Sequence, residues 1–129
     1  MPRVEHVGLW VADLDIEAAF YERFLGGTPG ARYHNPTTGF TSVFLTWDDG
    51  ARLELMTRPG LADRPVSVGY GYAHVAFGLG SQAAVDDLTA ALRDAGYAVV
   101  GGPRRTGDGY YEAEVCDPEG NRVELSADI

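Results

Sequence analysis

The sequence has 129 residues, of which 45% are hydrophobic and 22% are charged, a composition typical of a globular domain. Its formal net charge of −9 excludes a nucleic-acid-binding protein, which needs a basic face, and the absence of lysine excludes Schiff-base chemistry. The single Cys116 excludes an intrachain disulfide, and apolar runs such as Ala73–Leu79 are too short to span a bilayer.

The first predicted elements are a strand and an amphipathic helix. Alternating apolar residues predict a strand over His6–Val11. Asp13 and Asp15 are candidate N-caps for the helix, and Gly26-Gly27 predicts where it ends. The apolar residues at helical spacing, which we expect to face the core, are Ile16, Ala19, Phe20 and Phe24.

A β-hairpin completes the first half. The strand-like segment Thr41–Trp47 turns at Asp48-Asp49-Gly50 and continues as Arg52–Met56. One further strand is predicted near Gly30–His34. His34 precedes Asn35-Pro36 and has no counterpart in the second half, so we expect it to be an exposed loop residue.

The second half repeats this order of elements. Ser81 is the predicted N-cap of its helix, and Gly96 predicts the end. The apolar stripe of that helix is Val85, Leu88, Leu92 and Ala95. The predicted strands are His74–Leu79, Ala98–Val100, Tyr110–Cys116 and Arg122–Ser126, the last two joined by a turn at Asp117-Pro118-Glu119-Gly120. Cys116, within a strand, is expected to be a buried and inert thiol.

The two halves therefore resemble one module present twice. His6 and Glu54 are 48 positions apart, and His74 and Glu124 are 50 apart, each pair with the same elements between its members. Both halves read βαβββ, which predicts an α+β fold. We expect a single domain over 1–129, in which module 1 (about 3–57) and module 2 (about 72–127) are joined by a linker at 58–71.

The two histidines and two glutamates are predicted to share one kind of surface. Side chains alternate along a strand, and the apolar neighbours of His6, Glu54, His74 and Glu124 should lie beneath the helices. The four side chains then point to the opposite face. A lone strand histidine is more often a solvated or core residue than a ligand, but four residues at equivalent positions favour a metal site. Imidazole and carboxylate groups suit Zn²⁺, Ni²⁺ or Co²⁺.

Five segments resemble the vicinal oxygen chelate superfamily, which includes glyoxalase I, extradiol dioxygenases, fosfomycin-resistance proteins and bleomycin-binding proteins. These segments are His6–Val11, Phe20–Gly26, Leu53–Leu55, Gly71–Ala76 and Asp117–Leu125. The resemblance covers nearly the whole chain. It implies the fold of that superfamily, in which curved mixed sheets carry helices on their outer face.

Within the superfamily, the sequence is most similar to glyoxalase I of the bacterial type. That likeness implies that His6, Glu54, His74 and Glu124 bind one divalent metal ion, Ni²⁺ or Zn²⁺ before Co²⁺. It implies a homodimer whose sites each take one pair from each subunit. It also implies a lyase or isomerase, similar to lactoylglutathione lyase, that transfers a proton through a metal-bound enediolate. Glu124 would be the base and Glu54 its counterpart, with glutathione or another thiol as co-substrate.

Two positions depart from glyoxalase I. The arginine and the asparagine that anchor glutathione in that enzyme are Trp10 and Arg58 here. Arginines that could hold an anionic substrate instead are Arg52, Arg104, Arg105 and Arg122. Residues on the strand at the edge of the site, whose faces the sequence leaves unassigned, are Tyr110, Tyr111, Glu112 and Glu114.

Two other functions remain open on this evidence. One is a different metal-dependent member of the superfamily, such as an epimerase, a thiol transferase or a dioxygenase. The other is a protein that traps a cationic drug, as the bleomycin-binding proteins do, which the net charge of −9 would suit. All three readings expect a small-molecule ligand, no nucleic acid and no membrane. The N-terminal residues lack a signal-peptide pattern, which predicts a cytoplasmic protein.

Overall fold

The computed structural model describes residues 1–65 and 67–129, and the chain divides after residue 66 into two units. The elements of the first unit are β1 (His6–Trp10), α1 (Leu14–Leu25), β2 (Thr28–Pro29), β3 (Tyr33–His34), β4 (Thr41–Thr46) and β5 (Arg52–Thr57). Those of the second unit are β6 (Val75–Gly78), α2 (Gln82–Asp94), β7 (Val99–Arg105), β8 (Tyr110–Cys116) and β9 (Arg122–Asp128). The predicted α+β class is confirmed in both units.

Each unit contains one mixed sheet. The strand order is β1-β5-β4-β2 in the first unit, where β3 also pairs with β4, and β6-β9-β8-β7 in the second. The outer strand β1 is parallel to β5, and β6 is parallel to β9, whereas the hairpins β4–β5 and β8–β9 are antiparallel. The repeated βα unit followed by a hairpin is therefore confirmed, and the second unit follows βαβββ strand for strand.

The first unit has two short strands where the sequence predicted one near Gly30–His34. Strand β2 ends at Pro29, which has no N–H with which to extend a ladder. Strand β3 pairs only Tyr33 and His34 with β4. His34 thus lies in a strand and not in a loop, although its side chain is exposed as expected.

Helix α1 begins and ends as predicted but buries a different face. The Asp13 side chain accepts a hydrogen bond from the Ile16 N–H at 3.0 Å, and Gly26 closes the helix in the left-handed conformation at φ 72°. Ile16 is 55% exposed and Ala19 is also exposed, so their placement in the core was wrong. The buried residues of the helix are Leu14, Glu17, Phe20 and Tyr21. The buried face of the helix begins at Leu14 and includes the charged Glu17. A search for apolar residues at helical spacing therefore did not identify this face.

Helix α2 follows its prediction more closely. The Ser81 hydroxyl accepts a hydrogen bond from the Ala84 N–H at 3.1 Å, which confirms Ser81 as the N-cap. Val85 and Leu92 are buried and Leu88 is half-buried, as expected. Ala95 is exposed because it is the C-cap residue, so its place in the apolar stripe was wrong.

Each helix covers one face of the sheet in its own unit. Helix α1 packs on β4 and β5, and α2 packs on β7, β8 and β9. Beneath them lie strand residues with almost no exposed surface: Leu45, Leu53, Leu55, Val115, Val123 and Leu125. Because side chains alternate, the neighbours of these residues point to the face away from the helix. That second face carries the candidate site.

Two details at the strand ends differ from prediction. Strand β6 begins at Val75, so His74 immediately precedes the strand. Cys116 is half-buried and not fully buried, because it follows the core residue Val115 and so points to the other face.

Among the described residues, no helix is both long enough and apolar enough to cross a membrane.

Candidate metal centre

The first His–Glu pair stands on β1 and β5 of the first unit. In the parallel ladder between these strands, Gly8 is the partner of Glu54, two residues beyond His6. Gly8 has no side chain, so the His6 ring can lean along the strand toward the carboxylate. His6 Nε2 lies 3.6 Å from Glu54 Oε1, with the two side chains 42% and 16% exposed.

The second pair reproduces this arrangement in the second unit. Ala76 is the ladder partner of Glu124, again two residues beyond the histidine and again small. His74 Nε2 lies 3.3 Å from Glu124 Oε2, with side-chain exposures of 35% and 18%. Each unit thus presents one imidazole nitrogen and one carboxylate oxygen, aimed at each other, on the sheet face away from its helix.

The donor atoms of each pair fit a divalent metal ion. Ligand atoms at about 2.1 Å from Zn²⁺ lie roughly 3.0–3.5 Å from each other, and the two His–Glu separations, 3.6 and 3.3 Å, are close to that range. Both separations exceed the usual hydrogen-bond length. Two ligands do not make a protein site, however. Within residues 1–65 and 67–129, no group of three or more His, Cys, Asp or Glu side chains is arranged to hold one metal.

His6 is surrounded by charged and aromatic neighbours from its own unit. Its Nδ1 lies 3.0 Å from Glu5 Oε1, while Arg52 donates to both oxygens of Glu5 at 2.5 and 2.8 Å. These hydrogen bonds, first from Arg52 and then from His6, lower the pKa of Glu5 to about 2, so Glu5 is a carboxylate. The Phe44 ring meets the edge of His6 at 5.4 Å and lies 4.0 Å beneath the Arg52 guanidinium.

Glu124 has a different, acidic environment. It lines a depression together with Gly101, Arg104, Glu112, Ala113 and Glu114. Its pKa is raised, first by burial, then by a hydrogen bond with Glu112 and by the charges of Glu112 and Glu114, while His74 acts in the opposite direction. A carboxyl group whose pKa is moved toward neutrality is suited to accept and return a proton.

The structure assigns the strand whose faces the sequence left open. Glu112 and Glu114 lie on the face of Glu124, because β8 and β9 pair without a bulge and Glu114 is opposite Glu124. Tyr111 points the other way, where its hydroxyl donates to Asp86 of α2 at 2.5 Å. The register shifts occur between β7 and β8. Strand alternation places Glu112 on this face. The sequence does not show on which strand the bulge lies, so the face of Glu112 could not be assigned from the sequence.

Trp10 and Arg58, the two departures from the glyoxalase I pattern, contact each other. The Arg58 guanidinium lies 5.3 Å from the centre of the Trp10 ring, a cation–π contact, and Trp10 also meets the edge of Phe40 at 6.1 Å. Trp10 is 45% exposed and alternates with the core-facing residues of β1, as His6 does. Where glyoxalase I has an arginine and an asparagine, this chain therefore has a guanidinium held on an aromatic surface.

The candidate arginines differ in what already binds them. Arg52 is engaged by Glu5, and Arg122 lies 3.3 Å from Glu114. Arg104 lines the depression beside Glu124; its side chain is 63% exposed, and its guanidinium lies 3.9 Å from Glu112. Arg105 is the ladder partner of Tyr111. Of these four arginines, Arg104 is therefore the one that lines the Glu124 depression.

Several known proteins are similar to this chain in sequence or in fold. The chain is 36% identical to an uncharacterized protein of Pseudomonas aeruginosa, over 97% of this chain and 88% of that one. It is 34% identical to a probable lactoylglutathione lyase of Vibrio cholerae, over 95% and 88%. Among solved structures, glyoxalase I of Leishmania major, which is trypanothione-dependent, superposes with a TM-score of 0.79 at 27% identity, over 97% of this chain and 86% of that one.

A family model gives the same result over almost the whole length. Residues 3–125 match the model of the glyoxalase, bleomycin resistance protein and dioxygenase superfamily. This range includes both His–Glu pairs and every helix and strand up to β9. The chain belongs to the glyoxalase/bleomycin resistance protein/dioxygenase superfamily.

Proposed function

We propose that this protein is a divalent-metal-dependent lyase or isomerase of the glyoxalase I type, with His6, Glu54, His74 and Glu124 as its metal ligands. The observation that supports this most directly is the repeated geometry of the two pairs, 3.6 and 3.3 Å across, on equivalent strands of the two units. A solvated polar face would give no reason for the same imidazole–carboxylate spacing twice. The relatives named as lactoylglutathione lyases support the reaction class.

The metal and the protein have separate tasks in this proposal. When bound, Ni²⁺, Zn²⁺ or Co²⁺ supplies a Lewis acid that polarises neighbouring oxygens of the substrate and acidifies the adjacent C–H. His6 and His74 bind through Nε2, the nitrogen that faces the glutamate in each pair. Glu54 completes the first pair with a carboxylate that is only 16% exposed, so few waters compete for it.

Glu124 is the proposed base. Its raised pKa means that it holds a proton more readily than an ordinary carboxylate, so it can take one from a substrate carbon and return it to the next. The carboxyl group is 18% exposed, which limits loss of that proton to water. Glu54 is its proposed counterpart from the other pair.

The substrate we propose is the hemithioacetal of a thiol and a 2-oxoaldehyde. The similarity to a probable lactoylglutathione lyase of Vibrio cholerae and a lactoylglutathione lyase of Haemophilus influenzae supports this class, because lactoylglutathione is the thioester that isomerisation of such a hemithioacetal yields. Trp10 and Arg58 stand where the anchors of glutathione are expected. We propose that the Arg58 guanidinium, held over Trp10, binds the anionic part of the thiol instead.

We further propose that the four ligands meet in a homodimer, where each site takes the pair on β1 and β5 from one subunit and the pair beside β6 and β9 from its partner. A bacterial glyoxalase I provides the analogy. The one-domain arrangement of modules 3–57 and 72–127 with linker 58–71 also stays a prediction, as does the cytoplasmic location.

Metal analysis followed by an activity assay tests the central proposal. Purified protein should contain or take up one Ni²⁺ or Zn²⁺ per two His–Glu pairs, and the loaded protein should convert the methylglyoxal–glutathione adduct. His6→Ala should abolish both, whereas His34→Ala should change neither, because His34 lies on β3 and bonds Thr41. Failure to bind either metal under any condition would overturn the proposal. Metal uptake without turnover would instead favour another metal-dependent member of the superfamily.

One observation favours a second function, the binding of a cationic ligand without catalysis. The depression beside Glu124 is lined by three glutamates and one arginine, so its uncompensated charge is negative. Titration calorimetry of metal-free protein with a cationic glycopeptide separates the two. Saturable tight binding that Glu112→Gln weakens would support this function, and heats no larger than dilution would exclude it.

A further inference from the structure

The cluster of Glu5, Arg52 and Phe44 around His6 is not explained by metal coordination or proton transfer. Glu5 is a carboxylate and can only accept hydrogen bonds, so at 3.0 Å the Nδ1 of His6 must be the donor. In the neutral ring, the Nε2 atom, which faces Glu54, then carries the lone pair. The contact with Glu5 therefore selects which ring nitrogen is free to bind a metal.

Two interactions hold Glu5 in this position. The Arg52 N–H donates to the Glu5 carbonyl oxygen at 2.9 Å, which keeps the residue beside β5. The Arg52 side chain binds both carboxylate oxygens, through Nε at 2.8 Å and Nη2 at 2.5 Å, in the fork geometry that suits guanidinium and carboxylate. Phe44 supports the guanidinium from below at 4.0 Å and the His6 ring at its edge.

The second unit has the same arginine but uses it differently. Arg122 occupies the place of Arg52, two residues before the ligand glutamate. The residue opposite that glutamate is Phe44 in the first unit and Glu114 in the second. Arg122 therefore lies against Glu114, at 3.3 Å, and Ala73 precedes His74 where Glu5 precedes His6. The support of His6 is thus a property of one unit and not of the repeated module.

We infer that Glu5 is a positioning residue that fixes His6 in the tautomer whose Nε2 binds the metal, and that Arg52 holds Glu5 in place. The inference rests on the proposed role of His6 as a ligand. A carboxylate bonded to the remote nitrogen of a metal-binding histidine fixes the ring and raises its basicity. Loss of such a partner typically lowers metal affinity by about 10- to 100-fold.

A purely structural role for this cluster makes a different prediction. Glu5 is 60% exposed, and an exposed ion pair contributes little to folding. If Glu5 and Arg52 served only as such a pair, its removal would leave both metal affinity and the His6 tautomer unchanged. The two readings therefore separate on measurements that need no turnover.

The test uses Glu5→Leu, Glu5→Gln and Arg52→Met in the full chain, with Asp15→Leu as the matched control. Asp15 forms another ion pair with an arginine of the first unit, Arg32, and does not contact His6. The affinity for Ni²⁺ is measured by competition with a chromophoric chelator. The His6 tautomer is read from the ¹⁵N shifts of its ring in the metal-free protein, with His74 as internal reference.

We expect Glu5→Leu to raise the Ni²⁺ dissociation constant by about 10- to 100-fold and to shift His6 toward the Nε2–H tautomer. Glu5→Gln, which keeps an acceptor oxygen, should fall between Glu5→Leu and the wild type. Asp15→Leu should match the wild type. Unchanged affinity and unchanged His6 shifts in Glu5→Leu would overturn the inference while leaving His6 a ligand. A wild-type protein that binds no Ni²⁺ would overturn the proposed function, and this role of Glu5 with it.

Discussion

Glu124 is the residue on which the proposed chemistry depends most. It lies 3.3 Å from His74, which makes it a candidate ligand. It also shares a depression with Glu112 and Glu114, and its pKa is raised. Its counterpart Glu54 has Phe44 opposite it on β4, where Glu124 has Glu114 on β8. The two glutamates are therefore equivalent in the fold but unequal in electrostatics, and they should respond differently to substitution.

Replacement of Glu124 by glutamine separates proton transfer from metal binding. The amide oxygen can still coordinate a metal, but the side chain can no longer accept a proton. We expect turnover to fall by about 10²- to 10⁴-fold, the usual contribution of a general base, with most of the bound metal retained. Steady-state rates and metal content of the same preparation measure this, with Glu22→Gln on the exposed side of α1 as control. Full turnover in Glu124→Gln would exclude it as the base.

The same substitution has an effect on the metal-free fold. The folded protein raises the pKa of Glu124 above its ordinary 4.5, so it holds this proton more tightly than the unfolded chain does. The contribution of Glu124 to folding stability therefore decreases as the pH rises above 4.5, where the unfolded chain loses this proton first. Glu124→Gln removes that loss. Its urea midpoint should exceed that of the wild type at neutral pH and converge with it at lower pH, and an equal difference at both would contradict the shift.

Arg58 is the residue that tests the nature of the thiol. Its guanidinium lies over Trp10 on the same sheet face as His6. If it binds the anionic end of the substrate, Arg58→Ala removes a charged hydrogen bond and should raise KM about tenfold, with kcat nearly unchanged. Arg32→Ala, which removes an arginine paired with Asp15, is the control. Equal KM values in both variants would remove Arg58 from the binding site.

At the scale of elements, strand alternation predicted much of the candidate site. It placed His6, Glu54, His74 and Glu124 on the faces away from the helices, and the burial of Leu53, Leu55, Val123 and Leu125 agrees with that phase. Helix caps at Asp13 and Ser81 were also predictable, because their side chains act on residues three positions away.

Features that depend on contacts distant in sequence were not predictable. Glu5 lies outside its strand, so alternation gave no direction for its side chain, and its partner Arg52 is 47 positions away. The face of α1 was misplaced because a charged residue, Glu17, is fully buried there. Glu112 could not be oriented because the bulges of β7 have no sequence signal that locates them to one residue.

The bulged ladder between β7 and β8 gives a prediction for one glycine. Gly102 has φ 83°, and a Cβ there would lie 2.6 Å from the Glu112 carbonyl oxygen and 2.9 Å from the Ala113 Cα. Gly102→Ala should therefore cost at least about 2 kcal/mol of unfolding free energy, from left-handed backbone strain and steric overlap. Gly101→Ala is the matched control, since its Cβ would meet nothing within 4 Å. Comparable losses measured in urea for both variants would contradict this account.

At the scale of the whole molecule, subunit mixing tests the proposed dimer. His6→Ala and His74→Ala should each be inactive alone. In a mixed dimer, one site receives both alanines and the other receives two intact pairs. An equal mixture should then recover about one quarter of wild-type activity, since half the dimers are mixed and half their sites are intact. If each chain built its site alone, every site would carry one alanine and the mixture would stay inactive.

The different partners of Arg52 and Arg122 have a consequence for how the two His–Glu pairs would act in the proposed reaction. In the first unit, Glu5 contacts His6 and is held by Arg52. In the second unit, Arg122 lies against Glu114, and no glutamate immediately precedes His74. In the proposed function, His6 and Glu54 would be the more firmly held pair of metal ligands. The second pair lacks this support, so Glu124 would be the more easily displaced of the two proposed carboxylate ligands, as its proposed role as base requires. Two differences, Glu5 against Ala73 and Phe44 against Glu114, are thus enough to give two similar His–Glu pairs unequal surroundings.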